Sequence, residues 1–144
     1  MFTSCRHINV REKTITLPKH QWQRSYNAFI DLDVADSGQH FIYFVVRHSE
    51  KFGYTHLPVR ITIQDTAKNS GPFVKMRLNA PLVRADDGWA GSNMDDLYYR
   101  RIRITTPVLL KQGRYRFTLQ HEMKEDPLPN ILDVGVAIDK IQPH

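Results

Sequence analysis

Apolar and polar side chains alternate along most of this chain with a period of two, the pattern of strands that bury one face. Ala28, Ile30, Leu32 and Val34 interleave with Asp31 and Asp33, so one side of the segment turns to a core and the other to water. The beat returns at Leu57, Val59, Ile61 and Ile63 around Arg60 and Thr62, and at Val74, Met76 and Leu78 around Lys75 and Arg77. Ile102 and Ile104 alternate with Arg101 and Arg103; Tyr115, Phe117 and Leu119 alternate with Arg114, Arg116 and Thr118. Val134, Val136 and Ile138 repeat it around Gly135 and Ala137. Residues 41–46 are apolar throughout, which predicts a central strand covered on both faces. A shorter strand over residues 14–17 precedes Pro18.

Turn-forming residues separate these segments: Asp36-Ser37-Gly38, residues 68–72, Asp86-Asp87-Gly88, Lys111-Gln112-Gly113 and residues 126–130. No helical stripe runs for ten residues, although Ser92 or Asn93 as a cap predicts a short helical turn over residues 91–97. About eight strands with one-sided burial predict an all-β fold, an antiparallel two-sheet β-sandwich of jelly-roll-like type. A chain of 144 residues divided into two cores would bury too little in each, so residues 14–144 are expected to form one domain, with residues 1–13 ahead of it.

Lysine and arginine outnumber aspartate and glutamate by 20 to 15, spread without a continuous basic run, which argues against nucleic acid as a partner. The single cysteine, Cys5, forms no intrachain disulfide, and no run of eighteen apolar residues exists to cross a membrane as a helix. Phe2-Thr3-Ser4-Cys5 instead looks like the end of a bacterial lipobox, where small residues precede a cysteine that is acylated. This predicts an apolar leader upstream of Met1, lipidation at Cys5, and a tether from Arg6 to Lys13 with a reach of roughly 26 Å. A chance cysteine near a frayed end is the alternative.

Candidate chemistry is sparse. No Gly-x-Ser-x-Gly elbow, phosphate-cradling glycine motif or recognised metal spacing occurs, so neither a catalytic site nor a metal nor a cofactor is expected. His48 and His56 are candidates to meet across a hairpin. The loop from Asp86 to Asp96 gathers four carboxylates, Asn93 and Trp89; it offers oxygen ligands without a known calcium spacing. Trp89 between Gly88 and Gly91 either presents its ring to a sugar or protein, or plugs one end of the sandwich. Arg100, Arg101 and Arg103, Arg114 and Arg116, and Lys75 and Arg77 would form one positive patch if their strands were neighbours, and otherwise an ordinary solvated face.

Three blocks resemble the gliding-motility lipoprotein family of the Bacteroidetes, the GldH type. They are residues 43–47 continuing to Phe52-Gly53-Tyr54-Thr55-His56-Leu57, Asp87-Gly88-Trp89-Ala90-Gly91-Ser92 continuing to Leu97, and Gly113 to Phe117 continuing through residues 120–124 and 128–136. The resemblance spans residues 22–141; His48 and His56 stand where asparagine is usual, Ala90 replaces a larger apolar residue and Lys124 replaces arginine. It implies a non-enzymatic lipoprotein of the cell envelope, lipid-anchored to a bacterial membrane and facing the periplasm or cell surface. It also implies envelope proteins of a motility or secretion apparatus as partners. The expected role is a membrane-tethered protein-binding or scaffold module, with a carbohydrate-binding β-sandwich module as the alternative and a glycan as its partner. Trp89, Tyr54, Asp87, Asn93, Arg101 and Arg103 are the candidate binding residues.

Overall fold

The computed structural model describes residues 10–67, 74–84, 88–89, 92–94, 97–104 and 106–142, with backbone only at residues 10, 83–84, 88–89 and 92–94. Fourteen strands occur among the described residues. They are β1 (Val10–Thr16), β2 (Gln21–Trp22), β3 (Ala28–Val34), β4 (Gly38–Ser49), β5 (His56–Asp65), β6 (Val74–Pro81) and β7 (Val83–Arg84). The second half of the chain contributes β8 (Gly88–Trp89), β9 (Ser92–Met94), β10 (Leu97–Arg103), β11 (Val108–Leu110), β12 (Gly113–His121), β13 (Leu128–Pro129) and β14 (Ile131–Lys140). Eight of these are seven residues or longer, matching the eight strand segments expected from the sequence.

One sheet runs β1-β14-β4-β10-β9, with β11 beside β4 beyond the end of β10; the other runs β3-β12-β5-β6. All pairs are antiparallel, and the long strands cross repeatedly between the sheets, which makes an all-β sandwich of the jelly-roll-like kind. The inward residues named by the alternation form its core: Ile30, Leu32, Val59, Ile61, Ile63, Phe117 and Leu119 meet Ile42, Phe44, Val46, Val134 and Val136. Trp22 also lies in this core, fully buried, 6.4 Å from Phe44 and edge-on to His121 at 5.3 Å between ring centres.

Four sequence expectations are revised. Strand β4 is central in its sheet but only one face is covered by the second sheet; on its outer face Phe41 and Tyr43 are half-buried. It is β14 that is buried on both faces from Ile131 to Ile138. Strand β1 begins at Val10, so Val10 to Lys13 pair with Asp139 to Val136 instead of belonging to a tether. The ladder uses main-chain groups, so the charged run Arg11-Glu12-Lys13 does not oppose it. Ser92 to Met94 form β9 on β10 instead of a helical turn, because an adjacent strand offers ladder partners that a single isolated turn lacks. His48 and His56 do not meet as a pair: His48 is buried and stacks on Tyr98 at 5.6 Å, whereas exposed His56 contacts the Thr55 hydroxyl through Nδ1.

Candidate functional site

The outer face of the larger sheet carries a polar hollow whose geometry follows from register. Thr16, Asp133, Arg47 and Tyr99 lie opposite one another across β1, β14, β4 and β10, and Thr14, Gly135, Val45 and Arg101 form the next row. Period-two alternation sends all of these to one side. The floor is low because Gly135 has no side chain; a Cβ there would stand 2.1 Å from the Lys13 carbonyl oxygen, so β1 is free to pass close against β14. Val45 completes the floor. The resulting hollow, about 260 Å3, is lined by Glu12, Thr14, Thr16, Arg47, Tyr99 and Asp133.

Its charges are locked in pairs. The Arg47 guanidinium binds the nearly buried Asp133 carboxylate. Glu12 reaches from β1 to β10, where Oε1 accepts the Tyr99 hydroxyl at 2.8 Å and Arg101 Nη2 at 2.5 Å. Burial and then the Glu12 hydrogen bond push the Tyr99 phenol above its ordinary value, so it remains a donor at neutral pH. Burial works against the Arg101 charge, but the hydrogen bonds to Glu12 and Tyr99 outweigh it and raise its pKa. Along the same face the Arg101 guanidinium lies 5.7 Å from the Tyr43 ring centre and that of Arg103 lies 4.4 Å from Phe41. These arginines cover the apolar outer side of β4, the role the sequence had assigned to a second layer.

The strand arginines do not form one positive patch, because their strands are not all neighbours. Arg101 and Arg103 lie on the larger sheet, while Arg114, Arg116, Lys75 and Arg77 lie on the smaller one, beyond the core. There Arg116 binds Asp31 at 2.9 Å, Arg114 stands 3.8 Å from Asp33, and Arg77 stands 3.4 Å from Glu122. Arg116 also lies over Phe29 at 4.0 Å. Arg100 points to the inner side of β10, opposite Val46.

Tyr54 lies between β4 and β5 and exposes 38% of its surface, yet it is held in place. Its hydroxyl donates to Glu125 Oε1 at 2.7 Å and its ring sits edge-on to Phe52 at 5.6 Å. The surrounding loops are pinned through Asn130, which donates its backbone N–H to the His20 carbonyl at 2.9 Å and its Nδ2 to the Lys51 carbonyl at 3.2 Å. Lys19, His20 and Asn130 all adopt left-handed backbone conformations, unusual for residues other than glycine, and the hydrogen bond between His20 and Asn130 joins two of them. The backbone of Trp89 pairs with Val83, whose chain neighbour Leu82 donates its N–H to the Thr55 carbonyl, so the Trp89 ribbon starts beside the Tyr54 loop. Asn93 lies in β9, opposite Tyr98. Cys5 and Asp87, like the remaining aspartates of the acidic loop, lie outside the described residues. Glu12, Asp133 and Tyr99 escaped the sequence reading, since nothing local marks a charged or aromatic residue as facing strands so distant in sequence.

No curated protein matches the sequence. Among solved structures, the fold is similar to Xyl-CBM35 in complex with a glucuronic acid-containing disaccharide, at a TM-score of 0.44 and 17% identity over 85% of this chain and 76% of that one. It is also similar to a family 35 carbohydrate binding module from Clostridium thermocellum, at 0.39 and 12% identity over 89% and 90%. A third similarity is to the Cry4Aa toxin from Bacillus thuringiensis, at 0.47 and 13% identity over 92% of this chain but 21% of that one. The family model described as GldH lipoprotein matches residues 9–138, from the first strand nearly to the end of the last. The chain therefore belongs to the GldH lipoprotein family, a family of lipid-anchored envelope proteins named for gliding motility.

Proposed function

We propose that this protein is a non-enzymatic, membrane-tethered module that binds envelope proteins of a motility or secretion apparatus through the end of the sandwich carrying Tyr54 and Trp89. The observation that carries the reading is the exposed yet fixed ring of Tyr54, hydrogen-bonded to Glu125 and packed on Phe52. An aromatic side chain immobilised before contact loses little conformational entropy on binding, which is the property of interface anchors. Family membership supports the lipid anchor, and the family is not known as enzymatic. Acylation of Cys5 would hold the domain at the membrane, each buried methylene contributing about 0.8 kcal/mol, and confinement beside neighbours would raise their effective concentration.

The test is crosslinking in intact envelopes followed by identification of the copurified proteins, comparing the native protein with Tyr54→Ala. The anchor role predicts loss of the specific partner at unchanged protein level and unchanged melting temperature. Retention of the same partners by the Tyr54→Ala protein would reject this surface.

A further inference from the structure

We infer that the hollow between β1, β14, β4 and β10 binds one neutral sugar unit, a ligand class distinct from the protein partner proposed above. The identification rests on size, charge balance and the kinds of hydrogen-bonding group present. At about 260 Å3 the hollow falls below the roughly 300–1,000 Å3 of sites for drug-sized molecules, which fits a single compact unit and not a peptide segment.

The charge balance disfavours an ion. Arg47 is matched by Asp133 and Arg101 by Glu12, so an entering anion meets a carboxylate beside each guanidinium and an entering cation meets the reverse. Among the described residues no group of three metal-ligating side chains forms. The hollow does hold fixed acceptors in Glu12 and Asp133, fixed donors in Arg47, hydroxyls in Thr14 and Thr16 that both give and accept, and the Tyr99 oxygen, which accepts while its proton is held by Glu12. A ring bearing adjacent hydroxyl groups requires this mixture, because each hydroxyl donates one hydrogen bond and accepts others. The ion pairs hold the carboxylates and guanidinium in place before the ligand arrives. Gly135 lets β1 close against β14, which brings Thr14 and Thr16 to the rim of the hollow.

The experiment titrates the purified chain with glucose, galactose, mannose and N-acetylglucosamine, and separately with inorganic phosphate, following amide chemical shifts by NMR. The expected result is saturable shifts in Thr14, Thr16, Val45, Tyr99 and Asp133 with at least one sugar, and none with phosphate. A Thr14→Val/Thr16→Val double variant removes two hydroxyls at nearly constant shape and should weaken binding at least tenfold; Tyr99→Phe, which keeps the ring, should weaken it several-fold. Thermal melting of each variant verifies that it is folded. Tyr54→Ala should leave sugar binding intact, which separates failure here from failure of the protein-binding surface. Absence of saturable shifts with every sugar, stronger binding of phosphate, or binding abolished by Trp89→Ala but insensitive to the threonine and tyrosine variants would each overturn the inference.

Discussion

Three buried histidines give this protein a sensitivity to mild acid. Burial lowers the pKa of His40, His48 and His121 below the ordinary value of about 6.5. Around His40 the Gly38 carbonyl and Asp139 act against that shift and Lys140 adds to it, while around His121 the Trp22 backbone and Asp126 oppose it and Arg24 adds to it. Because each ring binds a proton more readily in the unfolded chain, stability is complete above about pH 6.5 and declines as pH falls from there through the lower folded values. The carboxyls of Asp31, hydrogen-bonded to Arg116, and Asp126, hydrogen-bonded by the Arg24 backbone, titrate below their usual value of 3.8. Their contribution is present above that value and is lost only at still lower pH. Urea denaturation at pH 7.5 and 5.5 should therefore show a lower midpoint at pH 5.5, and equal midpoints would contradict the assignment.

At the scale of the element, β12 shows how one strand divides its labour between faces. It lies between β3 and β5, sending Tyr115, Phe117, Leu119 and His121 into the core and Arg114, Arg116, Thr118 and Gln120 outward. Phe117 is completely buried, so Phe117→Ala removes a ring from between the sheets and should cost about 3–5 kcal/mol. Its neighbour Arg116 is bonded to Asp31 on a partly wet surface, where solvent screening leaves such a pair little net contribution. Arg116→Ala should thus move the denaturation midpoint far less than Phe117→Ala. Comparable effects of the two substitutions would contradict the division of faces.

For the molecule as a whole, the position of β1 sets how the sandwich sits on its anchor. With Val10 already paired to Asp139, a lipid on Cys5 would be separated from the sheet by residues 6–9, which span roughly 13 Å at about 3.3 Å per residue, half the roughly 26 Å of a tether running to Lys13. The domain would then lie close to the bilayer, with the larger sheet's edge nearest the anchor. Isolated from its native envelope, the protein should partition into the detergent phase of a phase-separating detergent, and Cys5→Ser should move it to the aqueous phase. Aqueous partitioning of the native protein would exclude the lipid at Cys5.

The alternation of side chains determined which residues of the long strands face inward, and with it the fold class and most of the core, because inward and outward facing is a property of each strand by itself. It also placed Arg101 on the outward face of its strand. What tertiary structure alone decided was adjacency. Glu12 sits in a charged run that looks like tether, and it meets Arg101 only because β14 and β4 intervene in a particular register. Arg101 and Arg116 look alike along the chain, yet crossing between sheets puts them on opposite faces with different acidic partners. Strand order is set by burying both sheets at once and closing every ladder, a condition on the whole chain that no local window contains.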